Sequence, residues 1–354
     1  MESRTGRYSW RLVAPGQPLE RFADAGRTPQ AYEVLIEVAG CGLCHTDLGF
    51  LDGTVKTRAQ LPLVLGHEIS GRVVEAGQGA GEWVGSDVVV PAVIPCGNCD
   101  VCSSGRGNVC ASQKMPGNDL DGGFATHVTV PVTGLSVVEN LPDGYELADL
   151  SVIADAVTTP LHAVRRAKVS EGDFVVVVGA GGVGTYAVQI AAASGAAVVA
   201  VDIDEGRLTI LREHGAAMTV NARGLSAREV RDQVREYARS IGASRTGWKI
   251  FECSGTASGQ ETAYGMLGTS ATLAVIGFTM EKVSIRLSNL MAFDAVAFGS
   301  WGCPPERYPE AIELVTSGVV KLKPFSRKVP MGDIATALEE AHGRSDARRT
   351  ILIP

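Results

Sequence analysis

The chain has 354 residues, of which 45% are hydrophobic, 20% charged and 6% aromatic, and its formal net charge is -7 at pH 7. Hydrophobic cores stop growing beyond roughly 250–300 residues, so this length predicts two domains. The acidic balance disfavours binding to nucleic acid or to an anionic membrane surface, because both are polyanions. The charged start MESRTGRYSW lacks the apolar core of a signal peptide, and no later segment has the apolar length of a membrane span. We therefore expect a soluble cytoplasmic protein.

Short valine-rich stretches interrupted by glycine occupy residues 30–140 and predict a compact, mostly antiparallel β region. From about residue 170, strands alternate with helices, which is typical of a parallel, doubly wound sheet. A helix at PERYPEAIELVTSG and a closing strand at RTILIP follow. The closing strand is a candidate to return to the first domain.

Two residues at the ends of predicted strands in the β region are candidate metal ligands: Cys44 in GLCHTD and His67 in LGHE. Each has an ordinary explanation when taken alone. An isolated cysteine is usually a small core residue, and a single histidine is commonly a polar surface residue.

Four of the eight cysteines lie in one short segment with the spacing C-x2-C-x2-C-x7-C: Cys96, Cys99, Cys102 and Cys110. Four thiolates this close in sequence can surround one tetrahedral zinc ion and leave no open position, which is typical of a structural site. An iron–sulfur cluster is the alternative. It is disfavoured because no proline follows the motif and the chain has no other electron-transfer feature.

The downstream region contains a dinucleotide-binding pattern, with Gly179, Gly181 and Gly184 as GxGxxG between a four-valine strand and a predicted helix. The glycines allow a tight turn, close approach of a pyrophosphate and close packing of helix on strand. Asp202 ends the next strand, where a carboxylate accepts hydrogen bonds from the adenosine ribose. It would repel a 2′-phosphate, so we expect NAD instead of NADP. A plain glycine-rich turn, and a helix cap at Asp202, are the alternatives, although Asp204 is better placed for a cap.

The segments GCGLCHTD, GHEISGRVVEAG, the four-cysteine segment and VGAGGVG, in this order, resemble the zinc-containing medium-chain alcohol dehydrogenases over nearly the whole chain. The resemblance implies an α/β protein with a GroES-like β-barrel catalytic domain at residues 1–155, which includes a zinc lobe at about 95–111. A Rossmann NAD-binding domain at 156–296 and a C-terminal return to the catalytic domain at 297–354 are also implied. The implied cofactors are NAD and two zinc ions per subunit, in a homo-oligomer that is a dimer or a tetramer.

The same resemblance assigns the catalytic zinc ligands. Cys44 and His67 match two of them, and Asp155 in VIADAVTTP stands where the family usually has a cysteine. Carboxylate is a common zinc ligand and leaves the charge of the ligand set unchanged. A buried or capping aspartate without metal is the alternative. Glu68 is the expected extra ligand, and Asp47 matches the carboxylate that orients the ligand histidine.

Further roles follow from the resemblance alone. Thr46 matches the first proton acceptor, with bonding to the local backbone as the alternative. Gly49 replaces the histidine that usually continues the proton relay. The remaining predicted cofactor contacts are Val183, His45, Arg207 and Arg349. For the three basic residues, a solvated surface position is the alternative.

The implied reaction is oxidation of an alcohol, in which zinc acts as a Lewis acid and NAD receives the hydride. The segments RYSWRLVAPGQPL, VVPAVIPCGNC, QKMPGNDLDGGFATH and DAVTTP are similar to 6-hydroxycyclohex-1-ene-1-carbonyl-CoA dehydrogenases of anaerobic aromatic degradation. We therefore expect an acyl-CoA thioester whose ring alcohol is oxidised to the 6-oxo compound. The alternatives are a broad secondary or aromatic alcohol dehydrogenase and, in a different class, a non-catalytic zinc- and nucleotide-binding protein.

Overall fold

A computed structural model describes residues 6–23, 27–343 and 348–354 of the chain. The protein divides into two compact units. The first comprises the described residues up to Thr158 together with Gly302–Gly318 and Phe325–Pro354, and the second comprises Thr159–Trp301 and Val319–Pro324. The predicted boundaries at 155/156 and 296/297 lie a few residues earlier. The sequence analysis also did not anticipate that Val319–Pro324 belongs to the second unit.

The N-terminal part of the first unit consists of short strands with two short helices. These elements are β1 Tyr8–Leu12, β2 Glu20–Ala23, β3 Glu33–Gly42, α1 His45–Asp52, β4 Leu63–Val64, β5 Glu68–Ala76, β6 Asp87–Val90, α2 Asp100–Ser103, β7 His127–Pro131 and β8 Ser136–Val137. Strand β3 pairs antiparallel with β5 and with β7. Its residues Val34, Ile36 and Val38 enter the main apolar core of this unit, which confirms the predicted antiparallel β region.

The second unit is built on six parallel strands. A 3₁₀ helix at Leu147–Ala154 leads to α3 Thr158–Arg166, β9 Phe174–Val178, α4 Gly184–Ala193, β10 Ala197–Asp202, α5 Glu205–Arg212, β11 Met218–Asn221, α6 Ala227–Ser240, β12 Lys249–Glu252, α7 Ala257–Gly265, β13 Thr272–Val275, α8 Ser288–Ala292 and β14 Val296–Gly299. The strand order is β11-β10-β9-β12-β13-β14. The chain therefore changes direction across the sheet between β9 and β12. In such sheets, ligands bind at the carboxyl ends of the strands beside this point.

The C-terminal segment returns to the first unit, as RTILIP suggested. Its elements are α9 Tyr308–Thr316, β15 Ser326–Pro330, α10 Ile334–Gly343 and β16 Arg349–Ile353. Strand β16 pairs antiparallel with the end of β3, with Ile351 opposite Gly42 and Leu352 opposite Cys41. This pairing brings Arg349 beside the chain that continues from β3 into Cys44.

Among the described residues, no single helix is long and apolar enough to cross a membrane. The bent pair formed by the 3₁₀ helix Leu147–Ala154 and α3 passes that test by length and composition only.

Candidate active site and zinc lobe

The four cysteines of the lobe converge on one point. Their Sγ atoms are separated by 3.4 Å for Cys99–Cys102, 3.5 Å for Cys96–Cys110, 3.7 Å for Cys99–Cys110 and 3.9 Å for Cys96–Cys102. All four are free thiols. A zinc ion with Zn–S bonds of about 2.3 Å requires tetrahedron edges of about 3.8 Å, so the four residues fit zinc without rearrangement. Desolvation and the neighbouring Cys99 thiol raise the pKa of Cys102 to about 11, and a bound cation would favour the thiolates.

A second cluster of potential ligands lies where β3 and β5 meet. Cys44 caps the N-terminus of α1, His67 directly precedes β5, which begins at Glu68, and Asp155 follows the 3₁₀ helix at Leu147–Ala154. One ligand atom from each of the four residues lies within 4.8 Å of all the others. The His67 Nε2 atom is 3.7 Å from Asp155 Oδ2. The structure thus brings the predicted catalytic zinc ligands together.

Glycine at position 42 is required for this arrangement. The β3–β5 pairing places Gly42 opposite Glu68. A Cβ atom added at Gly42 would lie 2.0 Å from Glu68 Oε2. Any larger residue would push the Glu68 carboxylate out of the cluster.

Asp47 fixes the imidazole of His67. Its Oδ1 atom is 3.3 Å from His67 Nδ1 and accepts a hydrogen bond from the backbone N–H of Gly66 at 3.2 Å, and its Oδ2 atom accepts from the backbone N–H of Cys44 at 2.9 Å. The ring therefore presents Nε2 to Asp155. Burial would lower the pKa of His67, but Asp47 and then Asp155 raise it well above its usual value. A cation at Nε2 would take the place of that proton.

Arg349 forms a buried ion pair with Glu68. Its Nη1 atom is 2.8 Å from Glu68 Oε1, and the two side chains are 7% and 0% exposed. It also donates to the carbonyl of Leu43 at 3.3 Å. Burial raises the pKa of Glu68 well above its usual range, although Arg349 acts in the opposite direction. The predicted contact of Arg349 with a pyrophosphate stays a prediction.

The donor groups of the cluster fit a bound cation. Burial would raise the pKa of Cys44, but Arg349 and His67 bring it below its ordinary value. Cys44, His67 and Glu68 thus all have shifted pKa values in one small cluster with Asp155, and ionisable groups buried in this way need partners. Glu68 Oε2 is buried and has no hydrogen-bond partner among the described residues. Sulfur, imidazole and carboxylate are the ligands that zinc prefers in proteins, so the site fits a zinc ion.

The first turn of α1 contains the two remaining candidates near this cluster. Thr46 is half-buried, and its Oγ1 atom is 3.8 Å from Cys44 Sγ. His45 is exposed. Their assignments to proton transfer and to pyrophosphate binding stay predictions.

The glycine loop has the geometry of a dinucleotide site. Gly179 has φ +91°, and a Cβ there would lie 2.4 Å from the backbone nitrogen of Ser254. A Cβ at Gly184 would lie 1.7 Å from the Gly179 carbonyl oxygen. At Gly181 the nearest atom to such a Cβ is Arg207 Nη1 at 3.9 Å. The first and third glycines therefore allow close packing, the second leaves an open surface, and Val183 caps α4.

Asp202 supports the glycine loop in addition to any contact with a ribose. Its Oδ2 atom accepts from the backbone N–H of Ala180 at 2.6 Å, and Oδ1 accepts from Asp204 N–H at 2.9 Å. Arg207 Nη1 lies 3.8 Å from Oδ1. Asp204, not Asp202, caps α5. Carboxylate oxygens can accept further bonds, so a ribose hydroxyl can still be accommodated.

Glu252 was not identified from the sequence. It ends β12 and is buried, and its Oε1 atom accepts from Ser254 N–H at 2.8 Å, Ser254 Oγ at 2.5 Å and Gly255 N–H at 3.2 Å. Because Ser254 packs on Gly179, Glu252 helps to shape the floor of the glycine loop. An acidic residue directly after the apolar pair of a predicted strand, in KIFECSG, was the available signal.

Comparison with known proteins identifies the family. A family described as "Alcohol dehydrogenase GroES-like domain" matches residues 30–143, and one described as "Zinc-binding dehydrogenase" matches residues 182–317. The chain belongs to the zinc-type medium-chain alcohol dehydrogenases. This zinc-dependent alcohol dehydrogenase thus has the predicted GroES-like and Rossmann folds and uses zinc and NAD(P), which favours the enzymatic interpretation over the non-catalytic one.

Individual relatives cover most of the enzyme. An alcohol dehydrogenase of Geobacillus stearothermophilus is 30% identical over 82% of this chain and 83% of its own length. D-arabinose 1-dehydrogenase (NADP(+)) of Saccharolobus solfataricus is 30% identical over 91% of both chains. The crystal structure of galactitol-1-phosphate dehydrogenase from Escherichia coli superposes with a TM-score of 0.87 at 26% identity, covering 98% of this chain and 100% of that one.

The lobe geometry predicts the effect of Cys99→Ser. The variant should lose one zinc ion per subunit and unfold at a lower temperature, because the closed tetrahedral site loses a ligand. Metal analysis and thermal unfolding measure both effects. Ser103→Ala changes an exposed residue of the same lobe and should retain the zinc. An unchanged zinc content in Cys99→Ser would contradict the assignment.

Proposed function

We propose that this alcohol dehydrogenase oxidises a secondary alcohol at a zinc ion held by Cys44, His67 and Asp155, with NAD as hydride acceptor. The observation that carries the proposal is the cluster of these residues with Glu68, in which Asp155 is half-buried and the other three are buried, and whose ligand atoms lie within 4.8 Å of one another. Zinc in this position supplies a Lewis acid that lowers the pKa of an alcohol hydroxyl. The glycine loop and Asp202 supply the residues that hold the dinucleotide.

The surrounding residues have separate roles in this proposal. Asp47 holds the His67 ring, and Arg349 offsets part of the negative charge around Glu68. Thr46 Oγ1 would accept the proton of the alcohol while its own hydroxyl proton passes to solvent. Gly49 has no side chain that could relay this proton, and an added Cβ at that position would lie 3.2 Å from Val55 Cγ2.

The proposed substrate class is a secondary alcohol of the polyol type, because relatives are named for sugars and sugar alcohols, among them D-arabinose and galactitol 1-phosphate. The ring alcohol of a cyclic hydroxyacyl-CoA is the second candidate. It is favoured by the segments RYSWRLVAPGQPL and DAVTTP, the latter of which contains Asp155. Substrate shape is set by loops that vary within a fold, so a substrate panel decides between the two.

The panel should include sorbitol, galactitol 1-phosphate, free cyclohexenol and 6-hydroxycyclohex-1-ene-1-carbonyl-CoA, with NAD reduction as the readout. We expect one class to exceed the others by at least about 100-fold in kcat/KM, because a site built for polar groups rejects analogues that lack them.

Asp155→Ala should lose the catalytic zinc and more than about 100-fold of the turnover.

Asp155→Cys is the matched control, because it restores a ligand type that zinc accepts, and it should recover zinc binding. Undiminished turnover in Asp155→Ala, or no turnover of any alcohol by enzyme loaded with both zinc ions, would contradict the proposal.

We further propose that NAD is preferred over NADP. The buried Asp202 carboxylate at the end of β10 repels a 2′-phosphate, and like charges in contact cost several kcal/mol. Asp202→Asn should reduce the ratio of kcat/KM for NAD over NADP by about 10- to 100-fold. Glu205→Gln removes an exposed carboxylate nearby and should leave the ratio nearly unchanged. A wild-type enzyme that prefers NADP would defeat this proposal.

We also propose that the enzyme forms a homodimer through β14. In the described part of the chain, β14 is the last strand of its sheet and pairs only with β13. Seven large apolar side chains between residues 278 and 301 are exposed: Phe278, Met280, Ile285, Leu287, Met291, Val296 and Trp301. A two-fold axis would pair β14 with its copy and cover this apolar surface.

Val296→Asp should shift the enzyme toward monomer at micromolar concentration, because it places equal charges opposite each other across the two-fold axis. Val319→Asp changes another exposed valine and should not. Sedimentation velocity measures the difference. A monomeric wild-type enzyme would exclude the dimer.

A further inference from the structure

The carbonyl oxygen of Ala154, directly before Asp155, is held by two hydroxyl groups. Tyr308 Oη donates to it at 2.5 Å, and Thr158 Oγ1 donates to it at 3.0 Å. Both side chains are buried, with residue exposures of 1% for Tyr308 and 0% for Thr158. The contact from Tyr308 spans 154 residues of sequence. The two hydrogen bonds therefore tie this carbonyl to the C-terminal return of the chain and to the start of α3.

Fixing this carbonyl also fixes the orientation of Asp155. The carbonyl of Ala154 and the N–H of Asp155 belong to one planar peptide unit. Asp155 itself is not helical, with φ −136° and ψ −53°. It lies between the end of the 3₁₀ helix at Ala154 and the start of α3 at Thr158, where neither helix determines its geometry. The two hydroxyl contacts thus hold the peptide plane from which the Asp155 side chain projects.

The other hydrogen bond of Tyr308 reaches the sheet that carries the remaining ligands. The backbone N–H of Ala92 donates to Tyr308 Oη at 3.0 Å. Ala92 follows β6, which pairs with β5 through Val90 opposite Ile69. Strand β5 begins at Glu68, directly after His67. One hydroxyl group therefore connects the strand pair that positions His67 to the peptide that positions Asp155.

We propose that Tyr308 is a positioning residue for the catalytic zinc, which sets the separation of Asp155 from His67 through its hydrogen bonds to Ala154 and Ala92. The inference rests on the proposed function, since it takes Asp155 to be a zinc ligand. Tyr308 does not touch the metal in this account. Its effect is on how firmly the zinc is held and on the geometry of the ligand set.

The test is Tyr308→Phe, which keeps the buried ring and removes only the hydroxyl. Removing a group that orients a metal ligand typically lowers the metal affinity by about 10- to 100-fold. We expect the catalytic zinc to pass to a chromophoric chelator at least about 10-fold faster than in the wild type. The zinc of the four-cysteine lobe should leave at the wild-type rate. With cobalt(II) in the catalytic site, the visible absorption bands should shift, because they report ligand geometry.

Three further variants separate positioning from general stability. Thr158→Val removes the second donor to the same carbonyl and should accelerate zinc release, whereas Thr158→Ser keeps a hydroxyl and should not. Tyr264→Phe removes a tyrosine hydroxyl that donates to the carbonyl of Arg286 in the second unit and should leave both zinc ions and the cobalt spectrum unchanged.

The outcomes are distinguishable from failure of the proposed function. Wild-type release kinetics and an unshifted cobalt spectrum in both Tyr308→Phe and Thr158→Val would overturn the inference while leaving the zinc site intact. If Tyr308→Phe does not fold, the zinc release rate and the cobalt spectrum of Thr158→Val alone test whether the Ala154 carbonyl must be held. A wild-type enzyme that contains only the lobe zinc would overturn the proposed function, and the inference with it.

Discussion

The concentration of acidic groups at Cys44, Glu68 and Asp155, of which the first two are buried and the third is half-buried, is the constraint on which the rest of the active site depends. Arg349 balances part of it from the returning strand β16, and Asp47 directs His67 toward the same point. Groups of this kind are costly to bury unless they are paired. In this cluster, sulfur, imidazole and carboxylate together match the preferences of zinc.

Backbone architecture makes this concentration of charge possible. The pairing of β3 with β5 and β16 brings together three segments that are far apart in sequence, and Gly42 leaves the space that Glu68 fills. In the second unit, Gly179 and Gly184 have the same role: because they lack a Cβ atom, the loop can pack closely on Ser254 and on itself. Both sites thus rely on close packing against glycine that the Cβ atom of an alanine would prevent.

Much of the fold and of the site could be predicted because their determinants are local in sequence. The four cysteines lie within fifteen residues, and GxGxxG follows its strand directly, so spacing alone indicates their chemistry. The position of Asp155 needed the family resemblance, because a single aspartate has no local signature. The pairing of Arg349 with Glu68 and the bridge from Tyr308 to Ala154 span 281 and 154 residues, and no periodicity encodes such contacts. Asp202 was predicted as a ribose ligand, but its bond to Ala180 depends on how β9 and β10 are aligned in space.

Anomalous diffraction at the zinc edge from crystals of the enzyme as isolated tests the central claim most directly. The account predicts two peaks per chain: one inside the four-cysteine lobe, and one bonded to Cys44 Sγ at about 2.3 Å and to His67 Nε2 and an Asp155 carboxylate oxygen at about 2.0–2.2 Å. A peak in the lobe alone, or a second zinc whose coordination does not include Asp155, would contradict it.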